Sequence, residues 1–302
     1  MTREELERVD LDLSGGPAAL VLHREDLSAV FPGMLRYLVL LETGDRRIVL
    51  FSTNTYEYTP LLPIDAEQAG RRAVATWAEA LRADPERCAR AAREAAPPCP
   101  TAEGGVLVLQ GSPRPDGSCA LLAEWAAGAA AFAGLPAEVV FVHDLAVAPC
   151  IGCYQCYNTG LCTFDDDMSR LGPAIRDAAL LVVCSPVYTN TVPAGLKAVI
   201  DRAQALHAET SLLARPAPDR GRAGVLLATA GRPGGANFTC VRSVVRAFMA
   251  NLGIRYAGEV LVDDLDARRD PREVLGLEER VRSTVLSALA HPAGGRRRLP
   301  GH

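Results

Sequence analysis

Residues 105–118 read Gly-Val-Leu-Val-Leu-Gln-Gly-Ser-Pro-Arg-Pro-Asp-Gly-Ser. The run 105–110 is continuously apolar up to Gln110 and breaks at Gly111-Ser112-Pro113-Arg114. That is the pattern of a short strand buried on both faces. The Ala/Leu-rich stretch 118–133 that follows predicts a helix. A buried strand feeding a helix through a Gly/Pro turn is the repeating unit of a parallel α/β sheet. Working outward, the unit recurs. Residues 138–142, 179–184, 224–229 and 255–262 predict further strands, and 167–178, 193–206, 238–252 and 271–290 predict helices. Five such strands predict a doubly wound, five-stranded parallel sheet of order 2-1-3-4-5. Ligands of such sheets bind outside the carboxyl ends of the strands, at the switch point between strands 1 and 3.

Upstream, residues 91–104 carry Pro97, Pro98 and Pro100, which disfavour helix and mark a boundary near residue 100. Residues 1–100 predict an N-terminal α+β accessory domain or extension. Its runs 35–42 and 47–52 flank Thr43-Gly44-Asp45-Arg46, a hairpin signal. A helix is expected over 65–96, broken near Asp84-Pro85. Residues 101–292 form the binding domain, and 293–302, with Gly-Gly-Arg-Arg-Arg, a flexible tail.

Composition narrows the function classes. The chain has 302 residues, 49% of them hydrophobic and 23% charged, which excludes a disordered polymer. A net charge of −4 gives no basic surplus to hold nucleic acid. No apolar run approaches the roughly 20 residues of a membrane span. The charged start Met1-Thr2-Arg3-Glu4-Glu5 lacks the apolar core of a signal peptide, so a cytoplasmic location is expected. Nine cysteines, an odd number, make a poor disulfide framework.

Four loops at the expected ligand edge carry unusual residues. The loop 111–118 offers Ser112, Arg114 and Ser118 at a helix N-terminus, where backbone amides and the dipole favour an anion. A Gly/Pro turn without a ligand has the same composition. No Gly-x-Gly-x-x-Gly or P-loop pattern is present. Cys150, Cys153, Cys156 and Cys162 follow the spacing C-x2-C-x2-C-x5-C. Soft thiolates in that spacing suit an iron–sulfur cluster, a redox Cys-x-x-Cys pair or zinc, and packed reduced thiols are the plain alternative. The loop 185–193 contains Pro186, Val187, Tyr188, Thr189 and Asn190, a setting for a flat polar heterocycle. The loop 229–237 is rich in glycine, which lets backbone approach a ligand closely.

Taken together, GSPRPDGS, PCIGCYQC, LCTFDDDM, SPVYTNTVPAGLKAVIDR and the glycine-rich fourth loop resemble the NAD(P)H-dependent FMN reductases of flavodoxin-like fold. Within them the cysteine spacing is similar to that of the iron–sulfur flavoproteins. The resemblance spans about residues 104–290. It implies a flavin-dependent oxidoreductase passing electrons between NAD(P)H or a carrier protein and a small-molecule acceptor. It implies that Ser112, Arg114 and Ser118 hold the FMN phosphate. Pro186, Val187, Tyr188, Thr189 and Asn190 would line the isoalloxazine ring, with Tyr188 and Asn190 as its reactive environment. Thr229, Gly231 and Gly234 would approach the ring's other edge. Cys150, Cys153, Cys156 and Cys162 would ligate a [4Fe–4S] cluster. Similar proteins are homodimers or homotetramers. The donor stays open among NADH, NADPH and a ferredoxin-like protein. A cluster-free flavin or quinone reductase and a non-enzymatic electron carrier or redox sensor are the alternatives. Cys119 stands where the family usually carries Thr or Ser after the position of Ser118.

Single residues attract plainer readings. His207 is expected in a solvated loop, Asp165-Asp166-Asp167 as helix-capping carboxylates, and Tyr56 and Tyr58 in ordinary packing. Tyr154 and Tyr157 either cover the redox group or pack against a neighbouring subunit.

Overall fold

The computed structural model describes residues 3–13, 16–44, 46–59, 62–84, 104–213 and 221–290. The proline boundary, the extension of the first helix past Asp84 and the C-terminal tail lie outside them. The described residues form two compact units. One contains residues 3–84, 151–163 and 208–213; the other contains 104–150, 164–207 and 221–290.

The first unit is a four-stranded antiparallel sheet in chain order, β1 (Arg3–Leu13), β2 (Gly16–Asp26), β3 (Leu35–Thr43) and β4 (Arg46–Asn54), followed by α1 (Ala66–Ala83). The expected hairpin is β3–β4. The strands β1 and β2 are additions to the reading of the sequence. Their signal is present in Val9, Leu11 and Leu13, which alternate with Asp10 and Asp12. Helix α1 starts at Asp65, whose side chain accepts from the Gln68 amide at 2.8 Å in a capping box. Its buried face, Val74, Ala78 and Leu81, packs on Leu20, Leu22, Val39 and Leu41 of the sheet. Each fully buried leucine or valine there contributes about 1.5–3 kcal/mol.

The second unit is the parallel sheet. Its strands are β5 (Val106–Gln110), β6 (Ala137–Phe141), β7 (Leu180–Pro186), β8 (Ala223–Thr229) and β9 (Arg255–Val262). They lie in the order β6-β5-β7-β8-β9, with every neighbouring pair parallel. Its long helices are α2 (Ser118–Phe132), α3 (Met168–Asp177), α4 (Ala194–Arg202), the first half of α5 (Gln204–Ser211), whose residues from Ala208 on belong to the first unit, α6 (Thr239–Asn251) and α7 (Leu277–Ala290). Alternation along the strands separates two cores. Leu107, Leu109, Leu181 and Val183 face Ile175, Leu196 and Val245 on one side. Val106, Val108, Leu180 and Val182 face Leu122, Ala126, Val281 and Val285 on the other.

Two helix expectations change. The stretch 193–206 is divided at Ala203 into α4 and α5, so His207 lies inside a helix, with Nδ1 2.8 Å from the Asn251 carbonyl. The last helix begins at Leu277, after a 3-10 turn at Pro271–Glu273. No described helix is long and apolar enough to cross a membrane.

Candidate functional site: a cavity at the sheet edge and a cysteine loop

A cavity of about 600 Å³ opens where the carboxyl ends of β5, β7 and β8 meet. Its walls come from three of the four loops singled out above, together with the segment after β9. The floor of the first loop is set by Gln110, which is fully buried. Its Oε1 accepts from the Ser112 amide, and its Nε2 donates to the Arg114 carbonyl at 3.3 Å. Ser112 Oγ in turn accepts from the Arg114 amide at 3.2 Å, which leaves its own proton to donate elsewhere. Gly111 has no room for a side chain: a Cβ there would lie 2.7 Å from Leu196 Cδ2. These bonds fold the loop so that Ser112, Arg114 and Ser118 all line the cavity.

Helix α2 begins in the same wall. Its N-cap, Gly117, contributes no side-chain cap. The first-turn amides of a 15-residue helix therefore point at the cavity end with the positive pole of the dipole. Arg114 is exposed there and, among the described residues, makes no ion pair. Hydroxyls, helix amides and an unengaged guanidinium suit a phosphate dianion.

The opposite wall is the loop after β7. Pro186, Val187, Tyr188, Thr189 and Asn190 all line the cavity. Tyr188 and Thr191 exchange backbone bonds of 2.9 and 3.0 Å around a two-residue turn. Thr189 (φ 45°) and Asn190 (φ 64°) are both left-handed in that turn. A threonine held there is strained, and such strain is commonly kept at ligand sites. Asn190 Nδ2 also reaches Cys240 Sγ at 3.4 Å.

The third wall belongs to β8 and the segment after β9. Thr229 Oγ1 lies 3.2 Å from Cys119 Sγ. Burial pushes the Cys119 thiol up to about 12, so it is a neutral hydrogen-bonding group and not a nucleophile. Gly231 is covered by Asp266, whose amide donates to the Gly231 carbonyl at 3.0 Å. A Cβ on Gly231 would collide with the Asp266 carboxylate. Arg232, Asn237, Leu265, Asp266 and Arg269 complete the lining, none of them assigned from sequence. Arg232 and Asn237 lie in the glycine-rich loop. Leu265, Asp266 and Arg269 follow β9, where the composition gave no ligand signal.

The cysteine loop divides between the units. Cys150 lies in the sheet unit, and Cys153, Cys156 and Cys162 lie in the first. All four are reduced thiols and none is fully buried. Their donor chemistry suits soft metal ions. Their arrangement does not gather them: among the described residues no three Cys, His, Asp or Glu side chains are grouped to hold a metal. In this structure they stand as separate thiols, and soft donor chemistry is what they offer a metal.

The feet of the loop are pinned inside the sheet unit. Asp166 bridges Arg202 (2.6 and 2.9 Å) and accepts from the Ala148 amide (3.0 Å), while Arg202 donates to the Ala148 carbonyl (2.8 Å). The expected capping is only partly met, for the N-cap residue of α3, Asp167, makes no side-chain capping hydrogen bond. Asp166 accepts from the Met168 amide at 3.1 Å, but Asp167 accepts from the Ala146 amide at 2.7 Å. Burial would raise the Asp166 pKa; the Arg202 and backbone hydrogen bonds outweigh it and hold the carboxyl below the usual range.

The family described as NADPH-dependent FMN reductase matches residues 105–263, just over half of the chain. The chain belongs to that family. An iron-sulfur flavoprotein of Methanocaldococcus jannaschii is 37% identical over 101 residues, 33% of this chain and 52% of that protein. An iron-sulfur flavoprotein of Methanosarcina thermophila is 30% identical over 136 residues, 45% of this chain and 68% of that protein. The match thus spans about half the length of the first relative. Among solved structures, an NAD(P)H:quinone oxidoreductase from Methanothermobacter marburgensis is 16% identical with a TM-score of 0.48, covering 65% of this chain and 100% of that one.

The matched FMN reductase region contains every residue that lines the cavity up to Asn237. One residue expected at the ring edge is absent from the lining. Gly234, at φ 110°, donates its amide to Asp263 Oδ2 at 2.5 Å.

Proposed function

We propose that this chain is an FMN-dependent oxidoreductase of the iron–sulfur flavoprotein type. The observation that carries the reading is the sheet-edge cavity, with an anion-binding end at Ser112, Arg114 and Ser118 and a strained aromatic wall at Tyr188–Asn190. Within this reading the sheet counts as the 2-1-3-4-5 order of the flavodoxin-like fold, and residues 1–100 serve as an accessory domain.

The residues present fit FMN. Ser112 and Ser118 donate hydroxyls to the phosphate, the first turn of α2 donates amides, and Arg114 pairs its charge. Pro186 and Val187 supply flat apolar contact for the ring, and Tyr188 and Asn190 border its reactive side. Thr229 and Gly231 would border the other edge, where the absence of a side chain on Gly231 makes room for the Asp266 carboxylate. FMN bound there supplies hydride acceptance and the return of electrons singly or in pairs. Backbone amides of the third and fourth loops would supply hydrogen-bond donors to the bound ring. NAD(P)H or a ferredoxin-like protein is the electron donor, and a small molecule is the acceptor. The protein acts as a homo-oligomer in the cytoplasm.

Cys150, Cys153, Cys156 and Cys162 are proposed as ligands of a [4Fe–4S] cluster on the strength of their donor chemistry and spacing. A second reading, a cluster-free flavin or quinone reductase, is favoured by the ungathered thiols. Flavin, iron and sulfide analysis of protein purified without oxygen separates them. Stoichiometric FMN with bound iron and sulfide, the metal lost in Cys153→Ser, supports the first reading. FMN without iron, after a reconstitution attempt, supports the second. No flavin, even after incubation with FMN, overturns both.

A further inference from the structure

The first unit holds the cysteine loop through a buried polar network. Asn54 is 0% exposed and Asn158 6%, and two amides so deeply buried must find partners. Asn54 Nδ2 donates to Asn158 Oδ1 at 3.0 Å and to the Tyr154 carbonyl at 3.4 Å. Asn158 Nδ2 donates to Glu57 Oε1 at 2.5 Å and to the Ser52 carbonyl at 3.4 Å. Glu57 Oε1 also accepts from the Asn54 amide at 2.8 Å, and its Oε2 accepts from Gln155 Nε2. Arg36, ion-paired with buried Glu25, turns its Nη1 to the Tyr157 carbonyl at 3.2 Å.

Tyr154, Gln155, Tyr157 and Asn158 are therefore all held from residues 36–57, and Cys156 sits between them. Aromatic edges reinforce the hold. Tyr154 meets Tyr56 at 5.3 Å and Tyr157 at 5.2 Å, and Tyr157 meets Phe31 at 4.9 Å. Tyr154 itself is left-handed (φ 58°), a strained state that persists only where its surroundings fix it. Apolar packing alone tolerates sliding. Directional hydrogen bonds in a buried setting specify one arrangement.

We propose that the N-terminal unit is a positioning frame for the cysteine loop: Asn54, Glu57 and Arg36 hold residues 154–158 in one backbone arrangement and so set the placement and accessibility of the Cys153 and Cys156 thiols. These are positioning residues, acting through the loop and touching no reacting atom. The inference stands on the thiols themselves and does not rest on the flavin or cluster reading.

The test is residue-resolved alkylation by N-ethylmaleimide of the full chain, reduced and treated with a chelator. Cys240, a partly buried thiol of the other unit, serves as internal reference. Glu57→Gln keeps one acceptor oxygen and turns the other into a donor facing Gln155 Nε2. Labelling of Cys153 and Cys156 should rise about fivefold to tenfold as the loop opens locally, with Cys240 unchanged. The exchanged pair Glu57→Gln with Gln155→Glu restores donor to acceptor and should return the rates toward wild type. Unchanged Cys153 and Cys156 rates in both Glu57→Gln and Asn54→Ala would overturn the proposal. So would a parallel rise at Cys240, which marks general loss of stability, or failure of the exchanged pair to restore.

Discussion

In the parallel sheet every residue of β5 and β8 is buried, whereas β1 of the antiparallel sheet buries Leu11 and leaves most of its length partly or fully exposed. The consequence is chemical. A strand covered on both faces has no place for a functional side chain along its length, so the polar groups of the sheet unit gather where strands end. That is why its cavity is built from loops, helix amides and a left-handed turn. A strand with one open face carries charge and hydrogen bonds along its whole length. The first unit also buries polar strand residues, Glu25 and Arg36, and the strand end Asn54, and uses them as working polar groups. One sheet makes a site at its edge; the other makes a frame from its side chains.

The comparison can be broken or sharpened by measurement, beginning with the largest effect. Asp166→Ala removes the carboxylate that Arg202, 1% exposed, pairs with, and should cost about 3–5 kcal/mol. Trp125 in α2 and Trp77 in α1 report the two units separately, so denaturant unfolding should shift mainly in the Trp125 signal. Arg114→Ala should weaken FMN binding about 10-fold to 100-fold, read by titration of flavin fluorescence, the range expected for losing one charge-assisted bond to phosphate.

Acid should act on the other unit. Burial would raise the Glu25 carboxyl, but hydrogen bonds from Arg3 and Arg36 outweigh it and hold it below the ordinary value of 4.5. A carboxyl lowered on folding contributes stability that is complete above that ordinary value and is lost as pH falls through the lowered one. Acid unfolding followed through Trp77 should show this loss, and Glu25→Gln should remove its pH dependence. The smallest effect is an expected silence. Burial holds the Cys119 and Cys184 thiols far above neutrality, so neither should be alkylated in the native protein at pH 8, while Cys150 is.

The parallel-sheet unit was legible because its signals are local. Continuous apolar runs ended by Gly, Pro and Ser mark β5, β7 and β8, and the residues following them line one cavity. Asp266, Leu265 and Arg269 were not legible, because they reach the cavity only through the pairing of β9 with β8, which no local pattern reports. Gly234 is not among the lining residues; a glycine-rich composition says that backbone can approach a ligand, not which glycine does. In the first unit β1 was overlooked under its charges, although its period of two was visible. The hold on the cysteine loop could not be read at all. It joins residues 36–57 to 154–158 across about 100 positions of chain, and asparagine, glutamine and glutamate are ordinary surface residues until burial gives them partners.

The central claim is that the cavity at the carboxyl edge of the parallel sheet holds FMN by its phosphate. The most direct test is a titration of the purified full chain with FMN, alongside riboflavin, which lacks the phosphate. The account predicts stoichiometric FMN binding, far weaker riboflavin binding, and a gap between the two that shrinks in Arg114→Ala. Equal affinity for both flavins, or no binding of either, would contradict it.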